Sequence, residues 1–171
     1  MNITNSKIGE IQQLVERMLP REDLFLVDLE IKGGQRSPSL WVYVESDNGG
    51  VSLDDCTELS RTLQTVLEAH DFFAGPFTLN ISSPGLDKPL LLPRQYKVNE
   101  GRLVRIRLHE NEHTGPGTEV RGLITATDET GVEVTPRSQP KKKGQLPKLK
   151  PDKAQHIAFT DILEAKVLPD V

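Results

Sequence analysis

The decapeptide Ile81-Ser82-Ser83-Pro84-Gly85-Leu86-Asp87-Lys88-Pro89-Leu90 divides this chain into two differently patterned halves. Phe77, Leu79 and Ile81 alternate with Thr78, Asn80 and Ser82, the period of a half-buried strand, and the alternation stops at Ser83. Pro84 fixes φ and lacks an N–H, Gly85 admits positive φ, and Pro89 drives Lys88 towards extended conformations. Leu86 and Leu90 supply packing that a flexible Gly/Ser linker would lack. Ser82, Ser83, Pro84, Gly85, Leu86, Asp87, Lys88 and Pro89 are therefore read as an interdomain joint, although an ordinary strand-to-loop exit would use the same residues. The expected division is an N-terminal domain over 1–83, a structured linker over 84–92 and a C-terminal domain over 93–171.

Upstream of the joint, Ile8, Ile11, Leu14, Val15, Met18 and Leu19 recur at helical spacing and Pro20 closes the segment. Phe25, Val27, Leu29 and Ile31 alternate with Leu26, Asp28 and Glu30. After Gly33-Gly34 a second alternating run follows, with Leu40, Val42 and Val44 set against Trp41, Tyr43 and Glu45, and the two runs are expected to pair antiparallel. Ser52 can cap a helix, with Asp55 three positions on as a relative of the capping-box Glu, and that helix continues through Leu53, Cys56, Leu59, Leu63, Val66 and Leu67. With the strand over 77–81 the order is α-β-β-α-β, whose helices can cover one face of a small sheet. Trp41, Tyr43, Thr78 and Asn80 fall on the opposite face. They form either an uncovered interaction surface or a seat for other parts of the chain.

Downstream, residues 93–97 suit a single helical turn. Short strands are expected around Val104–Leu108, Val120–Thr127, Val132–Val134, Ile157–Phe159 and Ala165–Leu168. Residues 137–153, rich in Lys, Pro, Gln and Gly with no apolar period, read as a long mobile loop. Five short strands suggest a small β-barrel, so the fold class is α+β.

The run Asp47-Asn48-Gly49-Gly50-Val51-Ser52-Leu53-Asp54-Asp55-Cys56 with Ser60-Arg61, followed by Ser82-Ser83-Pro84-Gly85-Leu86-Asp87-Lys88-Pro89-Leu90, closely resembles the bacterial ribosome maturation factor RimP family. Weaker similarity extends to Gly101-Arg102-Leu103-Val104 and Val120-Arg121-Gly122-Leu123. Lys88 stands where the family usually has Arg. The resemblance implies an SH3-like or Sm-like barrel for the C-terminal domain. It also implies a non-enzymatic factor that binds the immature small (30S) ribosomal subunit, with the small-subunit ribosomal protein numbered twelve and neighbouring ribosomal RNA as partners, acting as a monomer. A free RNA-binding regulator using the small barrel is the alternative.

Charge sharpens the division. The net charge of −4 conceals 7 Lys and Arg against 14 Asp and Glu in residues 1–91, and 14 against 11 in residues 92–171. The acidic half suits a basic protein and the basic half a nucleic acid. Candidate partner-binding residues are Asp54, Asp55 and Glu58 at the helix start, Arg61 two turns on, and Trp41 with Tyr43 on the sheet. Candidate RNA-binding residues are Arg102, Arg105, Arg107 and Arg121 on the strands and Lys141, Lys142 and Lys143 in the loop, where Lys148, Lys150 and Lys153 add charge.

Catalytic chemistry finds no footing. The chain has no phosphate-binding glycine loop and no nucleophile elbow, and Ser82-Ser83 lacks a recognisable His and Asp partner. His109 and His113 sit beside Glu110 and Glu112 in a hairpin loop rather than on a helix, so solvated histidines are expected in place of a metal site. Cys56, on the apolar face of its helix, is read as a core residue. No cofactor is expected, and neither a membrane-length apolar run nor a signal pattern is visible, which makes the cytoplasm the expected compartment.

Overall fold

The computed structural model describes residues 5–34 and 36–169, and the chain separates into two compact units, Met1–Pro84 and Gly85–Val171. In the first, α1 (Asn5–Met18), β1 (Leu24–Lys32), β2 (Ser39–Ser46), α2 (Leu53–Ala69) and β3 (Thr78–Ser82) follow the expected α-β-β-α-β order. The sheet runs β1-β2-β3, with β1 antiparallel to β2 and β3 parallel to it, so α2 is the crossover between parallel neighbours. Ile11 and Val15 of α1 and Leu59, Leu63 and Leu67 of α2, one turn apart on each helix, pack with Leu40, Val42 and Val44 in one core. Both helices therefore cover the same sheet face.

Two details depart from simple alternation. A bulge between Leu26 and Asp28 inserts Val27 as an extra residue, so Leu26 faces the core before it and Leu29 after it. Phe25 and Val27, expected on the core face, lie on the other side, and both are nevertheless buried. Along α2 the buried stripe is Asp55, Leu59, Leu63 and Leu67; Leu53, expected in the apolar face, is 84% exposed and Cys56 is only half-buried. The helix begins two residues before the stripe does, which leaves Leu53 pointing away from the sheet.

The second unit holds α3 (Pro93–Val98), β4 (Leu103–Leu108), β5 (Glu119–Thr127), β6 (Gly131–Thr135), β7 (Gln155–Ala158) and β8 (Ile162–Val167). Its sheet is antiparallel throughout in the order β7-β6-β5-β4-β8. Among the described residues no ladder joins β7 to β8, so hydrogen bonding does not close the sheet into a barrel. The chain is α+β in both units. Val104, Ile106, Ile124, Val132, Val134 and Ile157 form the core, capped by Tyr96 of α3, whose ring meets Phe159 at 5.1 Å. Burial pushes the Tyr96 phenol up to about 12.

Gln95 joins α3 to the segment before it. Its side-chain oxygen accepts the N–H groups of Leu91 and Leu92 at 2.7 and 3.0 Å, satisfying donors that the helix start leaves open. Leu90 donates to the Ala165 carbonyl at 2.8 Å and packs on the second core. Residues 90–92, at the end of the 84–92 segment, are thus bonded into the second unit. The basic segment 137–153 folds back on itself: Ser138 N–H donates to Lys148 O, Lys150 N–H to Pro136 O, and Arg137 bridges Leu149. Its tip, with Lys141, Lys142 and Lys143, is exposed. No helix among the described residues is long and apolar enough to cross a membrane.

Gly122 of β5 has no room for a side chain, since a Cβ would lie 2.6 Å from the Thr135 carbonyl oxygen and 2.9 Å from Val134 Cγ1. Gly122→Ala is expected to destabilise this unit by about 2 kcal/mol. Gly115→Ala, with nothing near the new methyl, should shift it by no more than about 0.5 kcal/mol. Urea titrations of the two variants, followed through amide NMR signals of this unit, check both values.

Candidate functional site

Two surfaces carry the polar groups singled out by the sequence, one on each unit. On the first, the Asp47–Cys56 motif is a built corner. Ser52 caps α2: its hydroxyl accepts the Asp55 N–H at 3.0 Å while the Asp55 carboxylate accepts the Ser52 N–H at 2.9 Å, a reciprocal capping box. Arg21, in the turn before β1, donates to both oxygens of the same carboxylate, Nε at 3.1 Å and Nη2 at 2.7 Å, and reaches the Gly50 carbonyl. Asp23 completes the corner by accepting from Ser46 Oγ at 2.8 Å and pairing with Arg21 at 3.1 Å. The guanidinium of Arg21 and the Ser52 N–H hold Asp55 at about 2, well below its usual 3.8, and the Ser46 hydroxyl lowers Asp23 in the same way.

This geometry corrects the assignment of Asp55. Its side chain is only 10% exposed and fully engaged, so it is not presented to a partner with its neighbours. Arg61 does not pair with it; Arg21, which the sequence reading passed over, does. Asp54 and Glu58, one turn apart, remain exposed at the start of α2, as does Arg61 on the following turn.

Trp41 and Tyr43 sit on the sheet face away from the helices, paired with Glu30 and Asp28 of β1 and with Asn80 and Ser82 of β3. Their rings stack at 6.2 Å, and Lys32 Nζ stands 4.7 Å from the Trp41 ring centroid. Lys32 Nζ also donates to the Tyr43 hydroxyl, which donates to Glu30 Oε2, each at 3.4 Å. Tyr43, expected on an uncovered face, is only 5% exposed; Trp41 is half-buried and Thr78 open. Trp41 instead lines a shallow hollow of ≈ 630 Å³ between α2 and the edge strand β3, shared with Cys56, Ser60, Arg61 and Asn80. Burial and the adjacent Asp55 raise the Cys56 thiol, so it is no activated nucleophile. A second pocket, ≈ 670 Å³ and mostly apolar, lies between α1, β1 and residues 71–74, and holds none of the sequence candidates.

On the second unit the strand registers set side chains in rungs across β5, β4 and β8. Arg121, Arg105 and Lys166 stand directly opposite one another, and the next rung is Glu119, Arg107 and Glu164. Glu119 Oε1 contacts Arg105 Nε at 3.3 Å and Arg121 Nε at 3.5 Å, while Glu164 meets Arg107 at 3.5 Å. Arg105, Arg107 and Arg121 are thus gathered on one face, 34%, 50% and 61% exposed at the side chain. Arg102 lies half-buried just before β4, and the three loop lysines project from the separate 137–153 segment. Sequence reading missed Glu119, Glu164 and Lys166, whose grouping depends on register rather than on spacing along one strand.

Of the joint residues, Ser82 still belongs to β3 and donates to the Ser83 carbonyl at 2.8 Å; Gly85 has φ 67, and Leu86 is 40% exposed. His109 and His113 lie in the β4–β5 loop, where Asn111 Oδ1 accepts the His113 N–H at 2.8 Å. No three metal-ligating side chains converge among the described residues. His156 Nε2 pairs with Asp128 at 3.2 Å on the surface, and Thr130 holds that carboxylate at about 2. The Thr130 hydroxyl donates to the same carboxylate at 2.7 Å and lies 3.5 Å from His156 Nε2.

Comparison with known proteins bears on the same segments. A family model for the RimP N-terminal domain matches residues 14–87. The chain is also 35% identical over 136 residues to the ribosome maturation factor RimP of Cytophaga hutchinsonii, covering 78% of this chain and 77% of that protein.

The Asp55 corner sets an acid limit on the first unit. Its native pKa lies below the value of 3.8 it has when unfolded, so the stability it contributes is complete above 3.8 and is lost as pH falls towards about 2. Arg21→Gln should raise the Asp55 carboxyl in an NMR pH titration and move the acid-unfolding midpoint of this unit upward; an unmoved titration would show that the guanidinium does not hold it. Ser52→Ala is expected to cost about 1 kcal/mol at neutral pH through loss of the cap, measured by urea melts.

Proposed function

The chain belongs to the RimP family of ribosome maturation factors, and on that premise we propose that it is a non-enzymatic cytoplasmic assembly factor for the small (30S) ribosomal subunit. The observation that carries this reading is similarity extending over 78% of the chain and through both signature segments, Asp47–Cys56 and Ser82–Leu90. The proposed partners are the subunit precursor, the small-subunit ribosomal protein numbered twelve and adjacent ribosomal RNA.

Charge supports a division of labour. Residues 1–91 carry net −7 and offer a basic ribosomal protein an acidic surface before RNA takes over that role, with Asp54 and Glu58 exposed where α2 begins. Residues 92–171 carry net +3 and gather Arg105, Arg107 and Arg121 on one sheet face, suited to phosphate. We read the second unit as an SH3-like or Sm-like small barrel. Five short antiparallel strands, bulges at Ile124/Ala126 and Arg107/Leu108 and a 3-10 turn at Phe159–Asp161 support that reading. The alternative, a free regulator that reads single-stranded RNA, calls for exposed aromatics on which bases stack. Tyr96 is 3% exposed and packed against Phe159, so the second unit offers no such platform there.

Sedimentation of lysate through a sucrose gradient tests the assignment. The protein should travel with free small subunits and be missing from complete ribosomes; migration only with small RNA would favour the regulator. Replacing Lys141, Lys142 and Lys143 with Gln should weaken RNA association equally for all sequences. It should also flatten the salt dependence by roughly one unit of slope per lost phosphate contact; a sequence-selective loss would show that the loop reads bases.

A further inference from the structure

We propose that the outer face of β5, β4 and β8 is an RNA phosphate-backbone site in which Glu119 serves as a resident counter-ion that an arriving phosphate displaces. The inference deepens the RNA contact assigned above to the second unit and rests on that assignment.

Register is the starting observation. Arg121, Arg105 and Lys166 are directly opposite one another on three adjacent strands, and like charges so placed destabilise a sheet. Adjacent strands lie ~4.8 Å apart, so the rung spans roughly 10 Å, long enough to face more than one backbone phosphate. Nothing in the core requires cations here: the residues that alternate with them, Val104, Ile106 and Ala165, do the packing. Lys166 has no ion pair among the described residues. The preceding rung is apolar, with Leu123 opposite Leu103, and Leu168 N–H bonded to the Leu103 carbonyl. An apolar floor beside the cations strengthens their field at the site.

Glu119 relieves the repulsion in the absence of a ligand. A single oxygen, Oε1, contacts Arg105 at 3.3 Å and Arg121 at 3.5 Å. Both distances exceed the 2.7–2.9 Å typical of a charge-assisted hydrogen bond, so the carboxylate neutralises without clamping. Both guanidiniums remain partly exposed and can turn their forks to phosphate oxygens, a geometry that suits arginine better than lysine. With leucines rather than aromatics beside the cations, the face offers backbone recognition without base stacking.

The test uses the full chain and a fluorescein-labelled oligouridylate, followed by fluorescence anisotropy over a series of KCl concentrations. Glu119→Gln should tighten binding about threefold and steepen the salt slope by up to roughly one unit, because one more cation becomes available to phosphate. Arg105→Gln should weaken binding about fivefold. Glu110→Gln, which changes net charge equally from the β4–β5 loop, should have a much smaller effect than Glu119→Gln. Equal effects of Glu119→Gln and Glu110→Gln overturn the proposal, because bulk charge would then suffice. Displacement of the RNA by polyglutamate at the same charge concentration also overturns it, as the face would then suit an acidic peptide. If only the Lys141, Lys142 and Lys143 substitutions weaken binding, the RNA contact of this unit stands and the Glu119 site falls; if the unaltered chain binds no RNA, both fall.

Discussion

The bidentate contact between Arg21 and Asp55 fixes where α2 can sit, and the first unit is arranged around that constraint. A three-stranded sheet with helices on one face has little redundancy: if α2 slides by one residue, Leu59, Leu63 and Leu67 leave the core together. Asp55 is itself the first residue of that buried stripe. A carboxylate in such a position requires partners, because an unpaired charge at a largely buried site costs several kcal/mol. Arg21 arrives from the turn that precedes β1, and Asp23 beside it holds Ser46 at the end of β2. One set of contacts therefore ties the start of β1, the end of β2 and the start of α2, and the glycine-rich segment between them is pinned through the Gly50 carbonyl.

That corner also explains why a motif with two adjacent carboxylates invites a functional reading. Spacing along the chain identified the capping box, because Ser52 and Asp55 are separated by the three residues that a helix start requires. It gave no means of knowing that Arg21, 34 positions away, would complete the site. Local chemistry was legible and the long-range partner was not. The same distinction holds for the strands. Alternation located β1, yet a single bulged residue exchanged the two faces between Leu26 and Leu29, and no local signal marks Val27 as the extra residue. Tyr43 shows the consequence: its assignment to the outer face was legible from period two, while its burial between Trp41, Lys32 and Glu30 depends on neighbours in β1.

In the second unit, strand positions and the gathering of arginines could be read from alternation, since Arg105 and Arg107 share a face by parity alone. Which residues stand across from them is a matter of register, and register follows from hairpin geometry and bulges that composition does not reveal. Gln95 is a further case. A polar residue at 1% exposure would ordinarily argue against a buried position, but its oxygen answers two backbone donors at the start of α3. A helical turn over 93–97 was legible; its cap, from a side chain inside the turn rather than before it, was not.

The two units resolve electrostatic tension in different ways, and the difference bears on function. In the first, opposite charges meet in a bidentate contact as short as 2.7 Å that leaves Asp55, 10% exposed, no free capacity, so the pair serves the fold. In the second, like charges share a rung, relieved by one carboxylate oxygen at distances too long to clamp them and still open to solvent. A short, saturated pair is expensive to break and resists exchange of partners; a loose, exposed pair contributes little to stability and exchanges readily. Charge at the Asp55 corner is therefore structural, whereas charge on the β5–β4–β8 face is held in a form that another anion can replace. By this criterion the proposed exchange with phosphate belongs to the outward arginines, although the acidic motif of the first unit is the more conspicuous feature of the chain.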